Sequence, residues 1–168
     1  MKRLLLLTLI ITFNVNGQSI RDLKKTALRD AKIVSNASLK EDTPTLLKFT
    51  HPEIIKKYGR VKTMEIIDDV FGMMKAQNIY ILSSNVNTVD NIVKEKGEYR
   101  CIVSNTIKMD LNGREMTVKS SLFGFYNKKQ QSWSFIESSK LLNDPETMEI
   151  FPNFKTAIDI PDDEYIEG

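Results

Sequence analysis

Apolar and polar residues repeat with one period before Asn78 and with another after it. Ile20, Leu23, Ala27, Ala31 and Val34 fall at the spacing of one helical face, which predicts a helix to about Ser38. Ser19 and Asp22 stand at its start with the Ser-x-x-acid spacing of a capping box. Thr43-Pro44 reads as N-cap and first residue of a short second helix carrying Leu46, Leu47 and Phe49. His51-Pro52 opens a third, with Ile54 and Ile55 apolar and Gly59 closing it after Tyr58. Residues 61–77 predict the strongest helix: Met64, Ile67, Phe71 and Met74 form one stripe, and Ile66, Val70 and Met73 widen it to a broad face expected to be buried.

Beyond Asn78 the period becomes that of strands. Tyr80, Leu82, Ser84 and Val86 predict one face of a first strand. After a turn over 94–98, Tyr99, Cys101, Val103, Ile107, Met109 and Leu111 share a face of a long second strand. Asn112-Gly113 predicts a type I′ hairpin, because both residues tolerate positive φ. In the third strand, from about Glu115 to Tyr126, the apolar phase moves from Met116, Val118 and Leu122 to Phe123 and Phe125, which predicts a bulge near Ser120-Ser121. A last strand puts Trp133, Phe135 and Glu137 on one face, and Asp144-Pro145 caps a short helix that stops before Pro152. Helices followed by an antiparallel meander define an α+β class. One domain is expected over 18–160, followed by a loose acidic tail over 161–168.

The first seventeen residues change where such a domain is expected to work. Lys2 and Arg3 precede an apolar stretch from Leu4 to Phe13, and Gly17 supplies a small residue before Gln18, the pattern of a cleaved signal peptide over 1–17. As a helix the stretch spans about 15 Å, half a hydrocarbon core of roughly 30 Å, so it reads as an export signal and not an anchor. The mature protein is expected to be soluble, periplasmic or secreted, with no membrane span. Without residues 1–17 the charges balance at 22 basic and 22 acidic residues, which gives no electrostatic reason to expect nucleic acid or an anionic membrane as partner. Cys101 and His51 are each the only residue of their kind, so neither an intramolecular disulfide nor a zinc cage can form. No calcium-loop motif is present, and no cofactor is expected.

"HPEIIKKYG", the long helix from Val61, the "NG" hairpin between two long strands and "SWSFIESS" closing the sheet together resemble the nuclear transport factor 2-like fold over about residues 19–140. They are also similar to small exported proteins of Bacteroidetes-type bacteria. The resemblance implies N-terminal helices packed on a strongly curved antiparallel sheet, a cone with a pocket inside. It further implies a choice of functions, since some members are isomerases or dehydratases with an Asp, Tyr or His in the cone, and others only bind or assemble. No catalytic motif of those enzymes maps onto this chain, so function has to be argued from the site.

His51 near the mouth of a cone could serve as a base, because its pKa lies near neutrality. The competing reading makes Thr50 or His51 the cap of the helix that Pro52 begins, and no carboxylate or nucleophile stands nearby in sequence to orient the ring. Glu137 shares a face with Trp133 and Phe135, so it is either a carboxylate among aromatic rings or a strand-end residue in water. Asn105 interrupts the apolar face between Val103 and Ile107, as a polar group in the pocket or as a bulge or edge residue. Tyr58, Tyr80 and Tyr126 offer phenolic donors, although such rings are commonly buried with the hydroxyl at a rim. Cys101 reads as a buried thiol. The pattern as a whole predicts an exported domain that binds a small apolar ligand or a protein partner, with homodimerisation as a variant. The alternative is an isomerase- or dehydratase-like enzyme using Glu137 or His51 as base.

Overall fold

The computed structural model describes residues 19–167, and the signal segment expected over 1–17 lies outside them. Ser19 caps α1 (Ile20–Leu39) by accepting from the Asp22 N–H at 3.1 Å. α2 (Thr43–Phe49) begins one residue earlier than its pattern predicts, because Asp42 takes the cap and accepts from the Thr45 N–H. His51 caps α3 (Pro52–Tyr58), its Nδ1 accepting from the Glu53 N–H at 3.2 Å. Gly59, at φ +78°, then ends α3 and starts α4 (Arg60–Ala76) with no linker between them.

The strands β1 (Ile79–Glu95), β2 (Glu98–Leu111), β3 (Arg114–Asn127) and β4 (Ser132–Glu137) form an antiparallel meander in that order. Lys96-Gly97 and Asn112-Gly113 all have positive φ, as type I′ turns require. Two short helices follow, α5 (Ser138–Asn143) and α6 (Pro145–Ile150). Residues 164–167 of the segment expected to be a loose tail form β5, antiparallel to β3 from Met116↔Glu167 to Lys119↔Glu164. β5 lies along the edge of β3 that β4 occupies from Leu122 to Asn127. N-terminal helices with a five-stranded antiparallel sheet make the fold α+β.

Both faces of the sheet are covered at its centre. On one, Leu23, Ala27 and Ala31 of α1 pack with Val89, Cys101, Val103, Trp133 and Phe135. On the other, Ile102, Phe123, Phe125 and Ile136 meet Leu141 and Ile158, with Ile54, Phe151 and Phe154 packed around them. This double coverage corrects the expected bulge in β3. The β2–β3 register runs unbroken from Arg100↔Phe125 to Leu111↔Arg114, and Phe123 and Phe125 simply face the second layer. The register shifts lie in β1 instead, between Ile81/Ser83, Val86/Thr88 and Asp90/Val93. Each extra residue restarts the alternation on the other face. Ile81, Ser84 and Val86 therefore point toward the helices, while Tyr80 and Leu82, expected beside them, are exposed.

Two polar anchors fix the layers. The buried Asp30 carboxylate of α1 accepts from the Trp133 N–H at 2.9 Å and from Arg29 Nε at 2.7 Å, and Trp133 Nε1 donates to Thr26 Oγ1 at 3.0 Å. In the second layer the buried Arg100 guanidinium donates to Glu95, Glu98 and the Lys155 carbonyl, lying 5.5 Å and 5.4 Å from the ring centroids of Phe125 and Phe154.

Candidate functional site

α4 does not bury the apolar face its sequence predicts. Thr63 is its one buried residue, held by a hydrogen bond from Thr63 Oγ1 to the Gly59 carbonyl at 2.7 Å. The helix packs on α2 and α3 and meets the sheet chiefly along β1. Polar contacts steady it from the same side, Thr43 donating to Asp68 and Lys75 to Glu41. Its stripe of Ile66, Ile67, Val70, Phe71 and Met74 is left facing a cavity of about 480 Å³. Val34 of α1, Leu46 of α2 and Ile81, Val86, Ile107, Met109 and Leu122 of the sheet complete the apolar lining. The register shifts of β1 bring Ile81 and Val86 into this lining.

A short polar strip crosses the cavity wall. Asn105 is 5% exposed and pairs across the sheet with Val86 on β1 and Ser120 on β3, so it is neither an edge nor a bulge residue of β2. Ser120 Oγ donates to Asn105 Oδ1 at 2.8 Å. On β1, Ser84 meets Ser35 of α1, with the hydroxyls 2.7 Å apart and Ser35 Oγ donating to the Ser84 carbonyl at 2.9 Å. Ser35 continues the Ala27–Ala31 row one helical turn further, a spacing that marked it for the interior. Strand parity placed Ser84 beside Val86, and the two do share the helix-facing side, whereas the shift between Ile81 and Ser83 moves Tyr80 and Leu82 off it.

Glu137 lines the same cavity at its exposed end. Its pairing with Leu122 keeps the strand parity, but the chain turns there into α5 and the carboxylate reaches water and Lys140 Nζ at 3.1 Å. A carboxylate enclosed by aromatic rings is not formed. His51 sits in the other layer, its ring edge-on to Phe125 at 4.6 Å and to Phe151 at 4.9 Å. Burial pushes the imidazole pKa below its ordinary value, against the pull of Glu98 and Glu53. Tyr126 is buried with its ring 5.2 Å from Trp133, and it borders with His51 a separate cavity of about 360 Å³. The Tyr58 hydroxyl lies 3.5 Å from Glu146 Oε2, between α3 and α6. Asn105 and Glu137 thus come together, while His51, Tyr126 and Tyr58 lie elsewhere.

Cys101 is fully buried, and burial raises its thiol pKa, which keeps it protonated. A larger groove of about 870 Å³ carries Arg29, Asp30, Lys48 and Arg60, but its acidic group is already engaged by Arg29 and the Trp133 N–H. Among the described residues no cluster of three or more His, Cys, Asp or Glu side chains could hold a metal ion, and no helix is long and apolar enough to cross a membrane. No protein-family model matches the chain, and no curated protein sequence matches it significantly.

Proposed function

We propose that the chain is an exported binding domain of the nuclear transport factor 2-like type, whose cone between α4 and the sheet takes up a small apolar molecule. The unfilled space beneath α4 carries this reading: the apolar stripe of the helix lines about 480 Å³ that no side chain of the described residues occupies. Small-molecule sites fall in the range of roughly 300–1,000 Å³, with mostly apolar walls and few polar groups. Each square ångström of apolar wall left in water forgoes about 25 cal/mol, so a ligand that covers the stripe stabilises the fold.

Binding has more support here than isomerase- or dehydratase-like catalysis. Glu137 is exposed and paired with Lys140, and His51 belongs to the opposite layer, so neither forms an acid–base pair with the other. Homodimerisation through the outer sheet has less to draw on. Exposed Tyr80, Leu82 and Ile166 stand on strands paired with those that carry Lys108, Asp110 and Lys119.

The test is a titration of the natively purified mature protein with N-phenylnaphthylamine, a neutral apolar fluorophore, beside mass spectrometry of retained small molecules. Saturable one-to-one binding is expected in the wild type and is expected to be lost in Ile107→Trp, which fills the cavity. If the filled variant binds as the wild type does, or the wild type shows no saturable binding, the proposal fails.

A further inference from the structure

We propose that Asn105 reads a neutral hydrogen-bond acceptor, a ketone or ester carbonyl, on the apolar molecule that the cavity takes; this rests on the binding reading above. The argument starts from unequal satisfaction within the polar strip. Ser35 and Ser84 satisfy each other, with their hydroxyls 2.7 Å apart and the Ser84 carbonyl 2.9 Å from Ser35 Oγ. Asn105 differs. Its Oδ1 accepts from Ser120 at 2.8 Å, but among the described residues its Nδ2 donors have no partner. Nδ2 is not among the enclosed unpartnered atoms, so its two N–H donors open to the cavity, and an apolar occupant that displaces water there without replacing it leaves them unpaired at a cost of about 1–3 kcal/mol.

Position 105 has no evident need of an amide for folding. Its strand neighbours on the same face are Val103 and Ile107, and Val86 stands opposite on β1, so an aliphatic residue would continue the wall. The amide is 5% exposed and lines the cavity, so its spare donors are available chiefly to whatever enters. Charge decides the class of the acceptor. The cavity's ionisable residues, Glu137 and Lys140, are both exposed and pair with each other at 3.1 Å. A carboxylate brought down to Asn105 would be desolvated with no cation beside it, whereas a carbonyl oxygen needs only the N–H that Asn105 holds. An aliphatic hydrocarbon would shut water out and leave the donor unpaired. The favoured occupant is an apolar body with one carbonyl set to reach β2.

The experiment uses two neutral fluorophores of one shape: propionyl-dimethylaminonaphthalene, a ketone whose emission moves to longer wavelength when its carbonyl accepts a hydrogen bond, and its propyl analogue without the carbonyl. In the wild type the ketone is expected to bind about tenfold tighter, the worth of one net hydrogen bond in a buried site. Its bound emission is expected at longer wavelength than in hydrocarbon solvent. Asn105→Leu is expected to remove the preference and shift the bound ketone's emission to shorter wavelength. Retained saturable binding of the propyl analogue shows that the variant's cavity is intact. Equal affinities in the wild type, or a hydrocarbon-like ketone emission there, overturn the carbonyl assignment alone and need no variant to fold. Failure of both fluorophores to bind saturably overturns the binding reading and this inference with it.

Discussion

A Cβ added at Gly124 would stand 2.7 Å from Cys101 Sγ, 3.1 Å from a Trp133 ring carbon and 3.2 Å from one of Phe135. All three neighbours belong to the core beneath α1, so none can swing into water. Gly124→Ala is therefore expected to lower stability by about 1–3 kcal/mol, the usual cost of overpacking, read as a lower urea midpoint. Adding Cys101→Ala should recover part of the loss, and a double variant no more stable than Gly124→Ala would refute the contact as its cause. His51 gives a second residue-scale prediction, in pH. Its folded pKa lies below the unfolded value near 6.5 because burial disfavours the imidazolium. As pH falls, the unfolded chain takes up the proton first, so stability is full above about 6.5 and declines below it toward the folded pKa. Asn also caps helices, so His51→Asn should flatten that decline between about pH 7.5 and about pH 5.5 while keeping α3. Identical pH dependence in both proteins would refute the assignment.

Of the two long helices, α4 is tied down less than α1. One buried residue, a Gly59 start at φ +78° and polar contacts to α2 hold it over open space. Its amides should exchange hydrogen faster than those of β2 and β3, and an apolar ligand should slow α4 most. Exchange no faster than in the central strands would show that the helix is not a mobile cover. Periodicity made α4 legible, yet a stripe records only that something apolar covers it, not whether protein or ligand does. The cap of α3 was readable because Pro52 fixes where that helix begins. Asn105 was readable because a lone amide breaks an apolar row, whereas Glu137 was not, since parity cannot tell where a strand stops. The shifts of β1 were hidden for a different reason: extra residues there are tolerated by the backbone and need no glycine. β5 left no pattern because Tyr165 and Ile166 are exposed and its pairing uses main-chain groups.

At the scale of the whole molecule, the centre of the sheet is covered by one layer built early in the chain and one built mostly late, with Ile54 of α3 joining it. The late layer depends on Arg100, which joins Glu95, Glu98 and the Lys155 carbonyl. Arg100→Met removes those bonds and is expected to cost about 3 kcal/mol, with new protease sensitivity confined to residues 151–160. Cleavage spread over the chain, or unchanged stability, would count against that role. β5 adds a consequence in time. During synthesis Met116–Lys119 of β3 leave the ribosome well before Glu164–Glu167. Through that interval this stretch of β3 presents unpaired N–H and C=O groups, a template that another nascent copy can occupy. The edge formed by Met116–Lys119 therefore closes last, when residues 164–167 emerge, and until then it is open to pairing with another copy.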